Sequence, residues 1–123
     1  MVTDFACHCD QLSGSRAVVT AAGELDLHTC TRFKKAISAA ARCGAEHLVF
    51  DLSAVTFMDS TALGILAAEQ RHRAEPLHVV VQEPQLRRIL EVTGYAQVFV
   101  LHDSLDDALL ETGRRQAQRE QPR

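Results

Sequence analysis

An α/β fold in one domain, with helices packed against a mixed sheet of four or five strands, is the class this sequence predicts. Three observations carry it. A period-two hairpin signal occupies the N-terminal part, apolar runs of strand length then alternate with stretches of helical period, and no linker or internal repeat interrupts the alternation. With 123 residues and 46% hydrophobic content the chain can bury one core. Only 5% of it is aromatic and there is no Trp, so that core must be mainly aliphatic.

Phe5, Cys7 and Cys9 alternate with Ala6, His8 and Asp10, the period of a half-buried strand, and Ser13-Gly14-Ser15 supplies a turn. A second strand follows at Ala17 to Ala22, forming an antiparallel hairpin at one side of the sheet. Gly23-Glu24-Leu25-Asp26 then leads into a helix for which Asp26 or Thr29 is a good N-cap. Cys30, Phe33, Ile37 and Ala40 or Ala41 fall on one stripe of this helix, Arg32, Lys34, Lys35 and Arg42 face water, and Gly44 ends it. The uninterrupted apolar run from Leu48 to Phe50 reads as a central strand covered on both faces, and a right-handed crossover places it parallel to the second strand.

A short connection is expected after that strand, ending at Asp59-Ser60-Thr61, three residues of the type that cap helices. From Ala62 onward good helix formers put Leu63, Leu66 and Ala67 on one face, and the helix runs to about Arg73, with Pro76 beyond it. Leu77 to Val81 is a β-branched buried strand, and Gln82-Glu83-Pro84 starts a third helix with Leu86, Ile89 and Leu90 inward, ended by Gly94. Val98 to Leu101 is a fourth parallel strand or short edge, and Asp103-Ser104 caps a last helix carrying Leu105, Ala108 and Leu109 inward. The domain is thus expected over residues 1–112. Residues 113–123, with Arg114, Arg115, Arg119 and Arg123 among glutamines, read as a solvated, disordered basic tail.

Several function classes fall away on composition. A net charge of −3 supplies no electrostatic footprint for nucleic acid, and the short tail with Glu120 inside it does not change that. No apolar run approaches the length of a membrane span, and Met1-Val2-Thr3-Asp4-Phe5 lacks the features of a secretory signal, so a cytoplasmic protein without membrane partners is the expectation. Cys7, Cys9, Cys30 and Cys43 then read as reduced thiols. A zinc site from Cys7, Cys9 and Cys30 with His8 and His28 would lack any C-x-x-C pair or repeated ligand spacing, so neither metal nor other cofactor is expected.

Ser60 stands where an ordinary helix cap would also serve. The strand, turn and helix around it present a hydroxyl at a helix N-terminus beside the Asp59 carboxylate, where backbone N–H groups and the dipole favour an added negative charge. An enzymatic nucleophile is the weaker reading. Met58-Asp59-Ser60-Thr61-Ala62 lacks both glycines of a nucleophile elbow, and His8, His28, His47, His72, His78 and His102 are scattered with none spaced as a base.

Phe57-Met58-Asp59-Ser60-Thr61-Ala62-Leu63-Gly64 resembles the signature of the STAS domain, in particular that of bacterial anti-sigma factor antagonists, and Gly23-Glu24-Leu25-Asp26 is a second match. The likeness covers nearly the whole chain in element order, with these two motifs its specific part. It implies a STAS-like fold and a binding protein rather than an enzyme. The unphosphorylated form would capture an anti-sigma factor that is also a serine kinase, freeing a sigma factor, and phosphorylation of Ser60 would switch binding off. A phosphatase is admitted as a further partner. Asp26, Asp59, Ser60 and Thr61 are the expected partner-binding residues, with both aspartates read by the partner and adding little to the fold. The sequence departs from the family at Thr61, where Ser is commonest, and at Ala62, where many members have Gly. Thr61 is therefore a competing phosphoacceptor. The alternative function is a constitutive STAS adaptor or scaffold subunit of a signalling or transport complex.

Overall fold

The structure, a computed structural model, describes residues 5–120. Its hairpin pairs β1 (Ala6–Leu12) with β2 (Arg16–Leu25), turned through Gly14 and Ser15, both at positive φ. Then follow α1 (Cys30–Arg42), β3 (His47–Met58), α2 (Ser60–Arg71), β4 (His78–Val80) and α3 (Pro84–Val92). A 3-10 turn at Tyr95–Gln97 precedes β5 (Val100–His102) and α4 (Leu105–Glu120). The strands lie in the order β1-β2-β3-β4-β5, antiparallel between β1 and β2 and parallel from there on. This is the mixed α/β sheet the sequence predicts, at the five-strand end of the range.

Alternation along the strands divides the apolar residues between two faces. Val19, Leu48, Phe50 and Leu52 point to the side covered by α1, α2 and α3, where they meet Phe33, Ile37, Leu66, Leu86 and Leu90. Phe33 meets Phe50 edge to face at 5.7 Å. On the other side Val18, Val49 and Val80 meet Ala108 of α4, flanked by Leu12, Leu105 and Leu109. The Leu48 to Phe50 segment is therefore covered on both faces, because each of its neighbours in sequence feeds a different layer.

Four local expectations are corrected. The connection expected after Phe50 does not exist: β3 continues to Met58 because β2 runs beside it to Leu25 and supplies hydrogen-bond partners for polar residues that read as loop. Ala41 and Ile89 are exposed, because each lies one position off its helix's buried stripe, which runs through Ala40 on α1 and through Leu86 and Leu90 on α3. The last strand begins two residues later than expected, since Val98 belongs to the end of the 3-10 turn. Finally, α4 passes through Gly113 to Glu120, anchored by Thr112, fully buried, and by the Arg115–Glu111 pair at 3.3 Å. The segment read as a tail is thus helical up to Glu120, and residues 121–123 of it lie outside the described residues.

Candidate functional site

The ends of β2 and β3 lie side by side, Leu25 level with Met58, so the chain after each strand emerges at the same edge of the sheet. After β2 the Asp26 carboxylate turns back on its own backbone, Oδ1 accepting from His28 N at 2.9 Å and Thr29 N at 3.1 Å. The Thr29 hydroxyl accepts from Asp26 N at 3.0 Å and donates to the Glu24 carbonyl at 2.8 Å. Thr29 is the N-cap residue of α1, but its side chain makes no capping bond; the acid instead shapes the loop leading to the helix.

Asp59 has a wider reach. Its Oδ1 caps α2 by accepting from Ala62 N at 3.1 Å, while Oδ2 accepts from Leu27 N, also at 3.1 Å, across a separation of 32 residues. Its own N–H donates to the Leu25 carbonyl at 3.1 Å. One carboxylate therefore ties the start of α2 to the loop after β2. Both expected partner-reading acids have their carboxylates engaged by backbone N–H groups.

Ser60 is the first residue of α2 and is exposed, and its hydroxyl engages no other described residue. Thr61 is half-buried and faces the groove between α1 and α2 alongside Lys34, Ser38 and Ile65. The two candidate phosphoacceptors are thus neighbours in sequence with different surroundings.

Two exposed apolar residues border this edge: Leu27, which no sequence signal singled out, and Phe57, the first residue of the signature around Ser60. Leu27, positioned through its backbone by Asp59, is 66% exposed, and Phe57, two residues before Asp59, is 48% exposed. Phe57 reaches the surface because the pairing slips between Gly23 and Glu24: Gly23 pairs with Val55 but Glu24 with Phe57, so Thr56 is extra and both Thr56 and Phe57 face outward. Gly23 takes φ +100° at this irregularity, a backbone that side chains rarely adopt. Among the described residues no group of three or more metal-ligating side chains converges, and no helix is long and apolar enough to cross a membrane.

The model of the STAS domain matches residues 11–108. The chain is similar to the anti-sigma-F factor antagonist RsfB of Mycobacterium tuberculosis, 37% identical over 95 residues that make up 76% of this chain and 78% of that one. It also resembles the crystal structure of an anti-sigma factor antagonist from Mycobacterium paratuberculosis, with TM-score 0.80 and 34% identity over 88% of this chain and 93% of that one. The phosphorylated form of the Bacillus cell fate determinant SpoIIAA shares the fold alone, with TM-score 0.63 and 20% identity over 87% of this chain and 99% of that one.

Proposed function

The chain belongs to the STAS domain family, among the anti-sigma factor antagonists, and from that premise we propose that its unphosphorylated form binds an anti-sigma factor with serine kinase activity, releasing a sigma factor until phosphorylation of Ser60 ends the complex. It is a regulatory binding protein, not an enzyme. The observation that carries the switch is the exposed, unengaged Ser60 hydroxyl at the first position of α2, next to the carboxylate that shapes the surrounding edge. Ser60, rather than half-buried Thr61, is the acceptor, because a kinase must reach the hydroxyl in line with its phosphate donor. The partner contacts Asp26, Asp59 and Ser60 together with apolar Leu27 and Phe57, which supply desolvated area beside the polar groups.

Phosphate would act in two ways. It adds about −1.5 to −2 charges at a helix N-terminus, where the dipole term of roughly 0.3 to 1 kcal/mol per charge makes it tolerable for the fold. It also stands beside Asp59, whose repulsion weakens the hold of that carboxylate on Leu27 N. At the interface a bulky dianion on a surface fitted to a hydroxyl brings clash and like-charge cost.

The test is incubation with a candidate kinase and ATP, read by intact mass, with calorimetric titration alongside. One added phosphate that vanishes in Ser60→Ala, and a phosphorylated form about 100-fold weaker in affinity (about 2.7 kcal/mol) at unchanged melting temperature, with Ser60→Asp losing part of that affinity and Ser60→Ala binding constitutively, support the switch. Equal affinities of all forms with a stable partner would replace it with a constitutive adaptor. A phosphate that persists in Ser60→Ala would move the acceptor to Thr61.

A further inference from the structure

The sheet face under α4 holds a cluster of imidazoles with no part in the site above. His78 of β4 is fully buried, and its Nδ1 lies 2.9 Å from Nε2 of half-buried His102 on the neighbouring β5, the rings stacked at 5.2 Å. One of these two nitrogens must donate and the other accept, which two neutral rings can do. The remaining nitrogen of His78, Nε2, is buried and meets no hydrogen-bond partner among the described residues. With Nδ1–H donating to His102, that Nε2 is a bare lone pair, the cheapest polar atom to leave unmatched.

Protonation removes this solution. A proton arriving first at His102 preserves the contact, because Nε2–H then donates to a His78 Nδ1 that has become the acceptor, the ring's proton moving to Nε2. A second proton, on His78, leaves N–H groups opposed across 2.9 Å and a buried ammonium-like charge. The groups facing His78 do little to receive it: Glu111 of α4 favours the charge, while Arg115 of α4, His102 of β5 and buried His47 of β3 oppose it. His102 faces Glu111 and Asp107 of α4 and Asp103, which favour its charge, and Arg115, which opposes it. Burial is the first cause that pushes His78 down to about 4, and burial also lowers His102.

What lies over the pair is α4, on the smaller of the two apolar clusters. Among the described residues α4 is the one helix on this face, and it rests on Val18, Val49 and Val80 through Ala108, flanked by Leu105 and Leu109. Polar ties from α4 to the body include an Arg16 Nη1 donation to the Leu109 carbonyl at 3.2 Å and a long Arg115–Glu75 pair at 3.7 Å. We propose that the His78–His102 pair is an acid-sensitive latch beneath α4: the helix covers the pair while the rings share their hydrogen bond within the sheet, and it detaches when both rings are protonated. Detachment admits water to both rings and exposes the Val18, Val49 and Val80 face, while the Ser60 edge, built on the opposite layer, stays folded.

Hydrogen–deuterium exchange of the full chain tests this, comparing α4 with α1 at about pH 7.5 and about pH 4.5 after correction for intrinsic chemistry. The expected result is a loss of protection in α4 at least about tenfold greater than in α1. His78→Phe, which removes the titrating ring, should abolish the difference. Should that variant not fold, ring-proton NMR of the unaltered protein decides, with the His78 titration expected at the same midpoint as the opening of α4. Parallel loss in α1 and α4, an α4 that stays protected while His78 titrates, or a folded His78→Phe that keeps the α4-specific loss would each overturn the latch.

Discussion

The two faces of the sheet solve the burial problem differently. Under α1, α2 and α3 the packing is aliphatic and aromatic, with Phe33, Phe50, Leu52 and Leu66 fully buried. Under α4 a few valines share the space with His47, His78 and Thr112. The candidate site stands on the first face: α2 buries Ala62, Leu66 and Ala67, the first two in the larger cluster, which leaves its N-terminus free to carry an exposed hydroxyl and, in the proposed switch, a phosphate. A dry, deep layer can carry a chemically variable edge without loss of fold. A layer that buries titratable rings is itself sensitive to conditions.

Substitutions on the two faces test this contrast. The largest effect is expected from Phe50→Ala, about 3 to 5 kcal/mol of lost stability by denaturant melts, against about 2 kcal/mol or less for Val80→Ala on the other face. Equal losses would mean that the two layers contribute alike. Next comes pH. His78 carries a folded-state value of about 4 against an ordinary 6.5, so the unfolded chain takes up the proton first. Stability from this group is complete above about 6.5 and lost as pH falls toward 4, by about 3 kcal/mol at most. His78→Phe should flatten that window in melts recorded across it, and a window of unchanged depth would assign the acid loss elsewhere.

Asp59→Ala should cost about 1 to 2 kcal/mol, for the lost cap and the released Leu27 loop together. Asp59→Asn, which keeps an acceptor, should lower the melting temperature less while still weakening partner affinity or Ser60 phosphorylation. If Asp59→Asn binds and is phosphorylated normally, only the structural role of the acid remains. The smallest change runs the other way. Gly64 sits inside α2 with open space where a Cβ would stand, so Gly64→Ala should raise stability by about 1 kcal/mol in thermal melts. A partner affinity that falls in the same variant would extend the binding surface along the groove between α1 and α2.

Much of the better-packed face was legible from local signals. The β1–β2 hairpin, the stripe of α1, the cap at Asp59 and the exposed start of α2 each rest on spacing and residue type within a few positions. The exposed placement of Leu27 and Phe57 was not legible. The first is positioned by a hydrogen bond from a residue 32 positions away, and the second by a register slip that depends on which strand pairs with β3. The length of β3 was hidden for the same reason, since Ser53, Ala54 and Thr56 look like a loop until β2 is laid beside them.

The six histidines show the division most sharply. By sequence alone they are scattered, and that spacing is all a single chain can show. Parallel pairing of β3 with β4, and of β4 with β5, puts His78 level with Val100 and His102 level with Val80, and alternation then turns both rings to one side. Periodicity and capping chemistry act over a few residues, so the sequence by itself determined the elements, the α/β class and the serine at the head of α2. Registers between strands far apart in the chain depend on the free energy of the whole packed sheet, so only the tertiary structure decided that Asp59 would hold Leu27, that Phe57 would face outward, and that His47, His78 and His102 would share one layer beneath α4.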